Sequence, residues 1–390
     1  MRRLFLLGCV LLQLCCLPGC RKIELVMPTE YDLLPFPEDP NVEPARMYLL
    51  NEGNMGSNKA SIDYVDFRTR MYCRNIYPEK NPTVVKELGD VGNDIQIYRG
   101  RIYAVINCSH KVEVMDAATG VRIRQFDIPN CRYIRFKGNF AYVSSYVAPV
   151  MIDPAAPQGA VYRIDLRSNK IVSKAVVGFQ PEELEISGNY IFVANSGGYR
   201  APDYDETVSV IDITRFKQVS QIPVAINLHR LKIDKYGKIW VSSRGDYKKI
   251  GSNLYVLTKT GTTPYSYEVK KAMNIACSNM ALKGDSLYVY SVEYNYDTKK
   301  NEVTYGIIDV QKMELVNDHF ITDGTESDIT IPYGIGIHPV TGDIFVTDAK
   351  NYVSSGVLHC YGSDGVKKWS VRTGDIPAHM TFYDTTTTDE

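Results

Sequence analysis

Asp94-Ile95-Gln96-Ile97-Tyr98-Arg99-Gly100-Arg101-Ile102-Tyr103-Ala104-Val105-Ile106-Asn107 matches Glu183-Leu184-Glu185-Ile186-Ser187-Gly188-Asn189-Tyr190-Ile191-Phe192-Val193-Ala194-Asn195 nearly position by position. Each is a short alternating segment, a turn at glycine, and a second segment rich in tyrosine and β-branched residues. Those residue types suit a pleated, packed surface, and two such runs around a glycine turn read as a β-hairpin. Further copies begin at Tyr133, Leu231, Met280 and Ile335. A third strand follows at 111–116, 208–212 and 304–309, and a fourth at 123–128, 171–177 and 219–224. Four short strands recurring about every 45 residues, without a helical period, predict an all-β, seven-bladed β-propeller with four-stranded antiparallel blades. The first unit lacks its opening strand and starts at Met47, while a spare copy lies at 378–383. Pairing that C-terminal strand with the first unit closes the ring and removes free edges, so one domain spans 46–384.

The ends read differently. Met1-Arg2-Arg3, an apolar run over 4–16 and Leu17-Pro18-Gly19-Cys20 form a secretory signal over 1–20, ending in a lipobox. Cys20 is the expected lipidation site. Pro18 stands where such boxes usually carry a small residue, so plain secretion is the alternative. Prolines among acids at 21–45 suggest a flexible tether, and 385–390 a disordered tail. A body held to the membrane by a lipid anchor follows, since no other stretch is long and apolar enough to span. The net charge of −1, with acids and bases interleaved, argues against nucleic acid as a partner. Of nine cysteines, Cys73, Cys108, Cys131, Cys277 and Cys360 remain for the body. Their wide, odd spacing fits no zinc or redox motif; they read as small buried residues, with one disulfide left open.

In a propeller the turns between first and second strands lie on one face, and the loops between second and third strands and between blades lie on the other. Here the first set is short and polar. The second is rich in tyrosine, arginine and amide side chains, and scaffolds commonly place function in such loops. The candidate ligand-binding residues are Asn54, Asn93, Asp94, Asn107, Arg132, Tyr133, Tyr146, Glu182, Asn195, Tyr199, His229, Arg230, Arg244, Tyr247, Tyr294, Tyr333, Asp348 and His379. Tyrosine offers apolar area with a polar tip, and arginine and asparagine offer fixed donors, a mixture suited to a large amide- or hydroxyl-rich ligand or a protein surface.

Enzyme readings rest on less. Some six-bladed propellers hydrolyse lactones with a calcium held by Glu, Asn and Asp at the central channel, and Glu52, Asn107, Asn195 and Asp348 end second strands here, a likeness of residue type only, since asparagine at a strand end is more often a turn former. His110, His229 and His379 share the loaded face. No serine elbow, zinc helix, phosphate loop or dinucleotide fingerprint is present, so no catalytic residue and no metal is assigned.

The stretches at 50–59, 195–199, 227–231, 240–247, 331–335, 346–350 and 373–379 resemble the YncE-like β-propeller lipoproteins of gut Gram-negative anaerobes, most of all the BtuG type. That resemblance implies a lipoprotein at the cell surface of the outer membrane. It would bind cobalamin (vitamin B12) or related corrinoids as ligand, not catalytic cofactor, and pass them to a TonB-dependent outer-membrane transporter. The alternatives are a scaffold propeller for a transporter or glycan, and a metal-dependent lactonase-type hydrolase.

Overall fold

The computed structural model describes residues 28–84, 87–295 and 298–384. The expected signal with Cys20, the start of the tether and the tail lie outside the described residues. Seven antiparallel sheets form the body, six of four strands and one of five. Their inner strands, Pro377–Tyr383, Gly92–Tyr98, Cys131–Lys137, Pro181–Ser187, Leu228–Ile233, Asn279–Lys283 and Pro332–Ile337, open blades 1 to 7 and neighbour one another in that order around a closed ring. The chain is a seven-bladed β-propeller.

Alternation explains why the second strands look so apolar. In Arg101–Ile106, Ile102, Ala104 and Ile106 pack toward blade 1, while Tyr103 and Val105 pack toward blade 3. Successive side chains of a strand point to opposite faces, and both faces here are covered by a neighbouring blade. Each fully buried aliphatic or aromatic side chain contributes roughly 1.5–3 kcal/mol. The hairpins are made locally: Tyr98 pairs with Arg101, and the two residues between them, Arg99 and Gly100, both have positive φ, the geometry that matches strand twist.

The ring closes where the two ends of the domain meet. Arg46 to Leu50 pair with Tyr383 to His379, and beyond them Glu52 and Gly53 donate to the carbonyls of Ile376 and Asp375. Asp63, wholly buried in blade 1, adds a cross-link: it accepts from Tyr72 Oη at 2.6 Å and from the amides of Asn75 and Gly374 at 2.8 and 3.1 Å.

Two expectations need correction. Within the stretch read as a tether, Glu30–Leu33 forms a fifth strand on the outer edge of blade 1, pairing with Met71–Arg74. Leu34 is buried against the blade 7 side of the same core. Tyr294, taken as a loop residue of the loaded face, instead lies near the end of a ten-residue strand, Ser286–Asn295, whose ladder with Lys300–Asp309 extends blade 6 toward that face. The five body cysteines are all free thiols, which closes the disulfide left open by their spacing.

Candidate functional site

The inner strands are irregular at the end that carries the loaded loops. Six of the seven have a register shift there, for example between Pro181 and Leu184 and between Leu228 and Leu231. A bulge re-aims the side chains on either side of it. The loops above are held open by local chemistry. Gly197 has φ of 56°, and a Cβ there would lie 2.2 Å from the Asp205 amide, so the turn carrying Tyr199 demands glycine. Gly245 is similarly constrained, and Asp246 then gathers the amides of Lys248, Lys249 and Ile250 at 2.8–2.9 Å.

These loops and inner-strand ends surround a cavity of about 850 Å³. Eleven of the eighteen sequence candidates line it: Asn93 and Asn107 from blade 2, Arg132 and Tyr133 from blade 3, Tyr199 from blade 4, His229, Arg230, Arg244 and Tyr247 from blade 5, Tyr294 from blade 6, and Tyr333 from blade 7. The other seven stand outside the wall. Glu182 is wholly buried beneath it, accepting from Arg132 Nε and Nη2 at 2.9 and 2.8 Å, from Arg244 Nη1 at 3.1 Å and from Tyr146 Oη at 2.6 Å. Burial alone would raise the Glu182 carboxyl, but Arg132 and Arg244 outweigh it and hold it below the usual range. Tyr146 and Glu182 thus orient two arginines that do reach the cavity. Asp94 is tied to Ile134 N and Arg135; Asn195 donates to Thr207 and Ser209; Asp348 accepts from the amides of Ile331, Thr330 and Lys350. These three serve the blades. Asn54 turns its loop through its carbonyl, and His379 packs edge-on against Tyr133 with Nε2 3.5 Å from Glu52.

The calcium candidates each have a partner within the fold: Asn195 and Asp348 are used as above, Asn107 donates to the Cys131 carbonyl, and Glu52 accepts from Tyr333 Oη. Among the described residues no cluster of three or more histidine, cysteine or acidic side chains is placed to hold a metal ion. Of the histidines, His229 and His379 flank Tyr133, while exposed His110 accepts from the Asn130 amide. Burial, then Arg244, Arg230 and Arg132, depress His229 well below the ordinary histidine range, so its ring is neutral.

One layer further along the channel Arg135 reaches Asp94, Glu183 and Glu185 at 3.0, 2.7 and 3.0 Å, and Lys232 also pairs with Glu183. Four blades are tied together beneath the cavity. The wall also includes residues outside the candidate set, among them Glu52, Cys108, Lys248, Tyr290 and Tyr352. Tyr290 sits inside a strand, where the alternation cannot separate a packing tyrosine from a lining one.

A family model described as a domain of unknown function, DUF5074, matches residues 46–382. The chain belongs to the DUF5074 family. No curated protein matches this DUF5074 chain. Among solved structures it resembles a quinonprotein alcohol dehydrogenase-like protein of Bacteroides thetaiotaomicron, with TM-score 0.57 and 12% identity over 86% of this chain and 77% of the other. It also resembles the hydrazine synthase of Kuenenia stuttgartiensis, with TM-score 0.53 and 15% identity over 70% of this chain and 77% of the other. At those identities the likeness is one of fold alone.

Proposed function

We propose that this chain binds cobalamin or a related corrinoid in the cavity, as a lipoprotein anchored through Cys20 at the cell surface of the outer membrane, and passes it to a TonB-dependent transporter. The observation that carries the reading is the cavity wall itself. It is open and large on the scale of small-molecule sites, which run roughly 300–1,000 Å³. It combines tyrosine rings with amide and guanidinium groups drawn from six blades. A macrocycle fringed with amides presents flat apolar faces to the first and hydrogen-bonding edges to the second. The sequence resemblance points the same way.

The site is read as one of binding and not of catalysis, because the carboxylates in and beneath its wall are engaged: Glu52 accepts from Tyr333, Glu293 from the Ser252 amide, and buried Glu182 from two arginines and Tyr146. Titrating the purified protein with cyanocobalamin by calorimetry tests the proposal. One-to-one binding is expected, and no heat at micromolar protein would end it.

A second reading, a scaffold for a macromolecular partner, has one observation in its favour. Met55, Ile152, Tyr247, Ile250 and Val353 are exposed apolar residues on loops of the same face. Capture of an outer-membrane barrel that is indifferent to corrinoid would favour this reading over the first.

A further inference from the structure

Three arginines reach the cavity, and they differ in their counter-charges. Arg132 and Arg244 share Glu182. Arg230, only 7% exposed, has no carboxylate within ion-pair distance among the described residues. Its Nη1 donates to Tyr133 Oη at 2.7 Å, and that hydroxyl lies 3.3 Å from Nε2 of neutral His229. The chain of hydrogen bonds ends on an imidazole and not on an anion. Arg230 Nε is buried without a partner. Glu183, the carboxylate whose charge reaches it, is taken by Arg135 and Lys232.

Arg132 and Arg244 face Glu182, and Arg135 and Lys232 face Glu183, Glu185 and Asp94, so each of these neighbouring cations has a carboxylate against it and Arg230 has none. A buried guanidinium without a counter-charge is costly, and a protein keeps one where a ligand supplies the anion. The planar fork of arginine accepts two oxygens of a carboxylate or phosphate side by side. The one unpaired charge of Arg230 matches a monoanion, whereas a phosphate monoester carries close to two negative charges at neutral pH.

We propose that Arg230 is the anion-receiving residue of the cavity, and that the ligand carries a singly charged oxyanion, a phosphodiester or a carboxylate, which docks on it. This deepens the reading of the cavity as a ligand site and rests on it.

The probes are dimethyl phosphate and acetate, compared with potassium chloride at equal ionic strength, with thermal unfolding as the readout on wild type, Arg230→Met and Arg230→Lys. At least one probe is expected to raise the wild-type melting temperature saturably, with the effect absent in Arg230→Met and weakened in Arg230→Lys. Without any probe, Arg230→Met is expected to melt at or above wild type, since it removes an unpaired charge. An equal response in Arg230→Met, no saturable response in wild type, or an Arg230→Met protein far less stable than wild type would each overturn the proposal; the last would make Arg230 a structural donor to Tyr133. Calorimetry separates this proposal from the corrinoid reading. If cyanocobalamin binds wild type and Arg230→Met alike, the anion site fails and the corrinoid reading survives. If the small anions act through Arg230 but cyanocobalamin does not bind, the reverse holds. If both stand, Arg230→Met weakens cyanocobalamin roughly tenfold or more, the usual scale for a lost charge-assisted hydrogen bond.

Discussion

The hydroxyl of Tyr333 donates to Glu52 Oε2 at 2.8 Å, joining blade 7 to blade 1 across the cavity wall over a sequence separation of 281 residues. Burial, then the Glu52 charge, raise the Tyr333 hydroxyl well above its ordinary range, so it stays a donor at every physiological pH. Tyr333→Phe leaves Glu52 with His379 as its remaining close partner. The expected cost is about 1 kcal/mol in equilibrium denaturation. A variant as stable as wild type would show that this bond adds nothing to ring closure.

Glu182 offers a larger effect. Glu182→Gln leaves Arg132 and Arg244 without their anion, and breaking a buried pair by removing one partner costs roughly 3–5 kcal/mol. Denaturant midpoints measure this directly. A loss below about 1 kcal/mol, the scale of an exposed pair, would mean that water in the cavity solvates both arginines adequately.

Acid should weaken the fold in two stages. His338 and His359 are held down to about 4, in both by burial first, and His229 is also depressed. They stay neutral in the fold while the unfolded chain takes up protons below about pH 6.5. Stability is therefore complete above that point and falls as pH drops toward 4, by up to about 1.4 kcal/mol per pH unit for each such group. Glu183, which Lys232 and Arg135 hold down to about 2 against the opposing effect of burial, adds a further loss between about pH 4.5 and 2. Urea titrations across this range check both stages. His359→Phe should flatten the first, because neither ring nitrogen of His359 has a partner to lose. An equally steep profile in that variant would remove His359 from the account.

Cys108 gives a probe of occupancy. Of the described cysteines it alone is half-exposed, and it lines the cavity, while Cys73, Cys131, Cys277 and Cys360 are buried. Burial, then Asp90, raise its thiol, so a maleimide should label it slowly but first. Saturating cyanocobalamin is expected to slow that labelling further. An unchanged rate would place the ligand away from the blade 2 wall.

The ring was legible because second strands buried on both sides read as unbroken apolar runs, and because glycine marks each hairpin between first and second strands. Glu30–Leu33 escaped notice for the opposite reason. Tyr31 and Leu33, 48% and 63% exposed on an outer edge, leave no alternation to read among the prolines. The cavity was half legible. Loop residues such as Tyr199 and Tyr247 announce themselves by type and position. Where inner strands bulge, adjacent residues part company: Asn93 lines the cavity while Asp94 turns to the Ile134 amide and Arg135 of the next blade. Sequence spacing carries no mark of the bulge. Nor could it show that Glu182 would lie one layer down, positioning arginines instead of touching a ligand.

The outer strand of blade 1 also sets how force enters the molecule. Any pull transmitted from residues before 28 arrives first at Glu30–Leu33, a four-residue ladder reinforced by Glu30 with Arg74 and Arg372 and by Tyr31 with Glu79. That ladder can peel from the rim one bond at a time, whereas the seam between Arg46–Asn51 and Pro377–Tyr383 is longer and lies toward the centre. Tension on the N-terminal side is thus relieved at the periphery before it can open the seam.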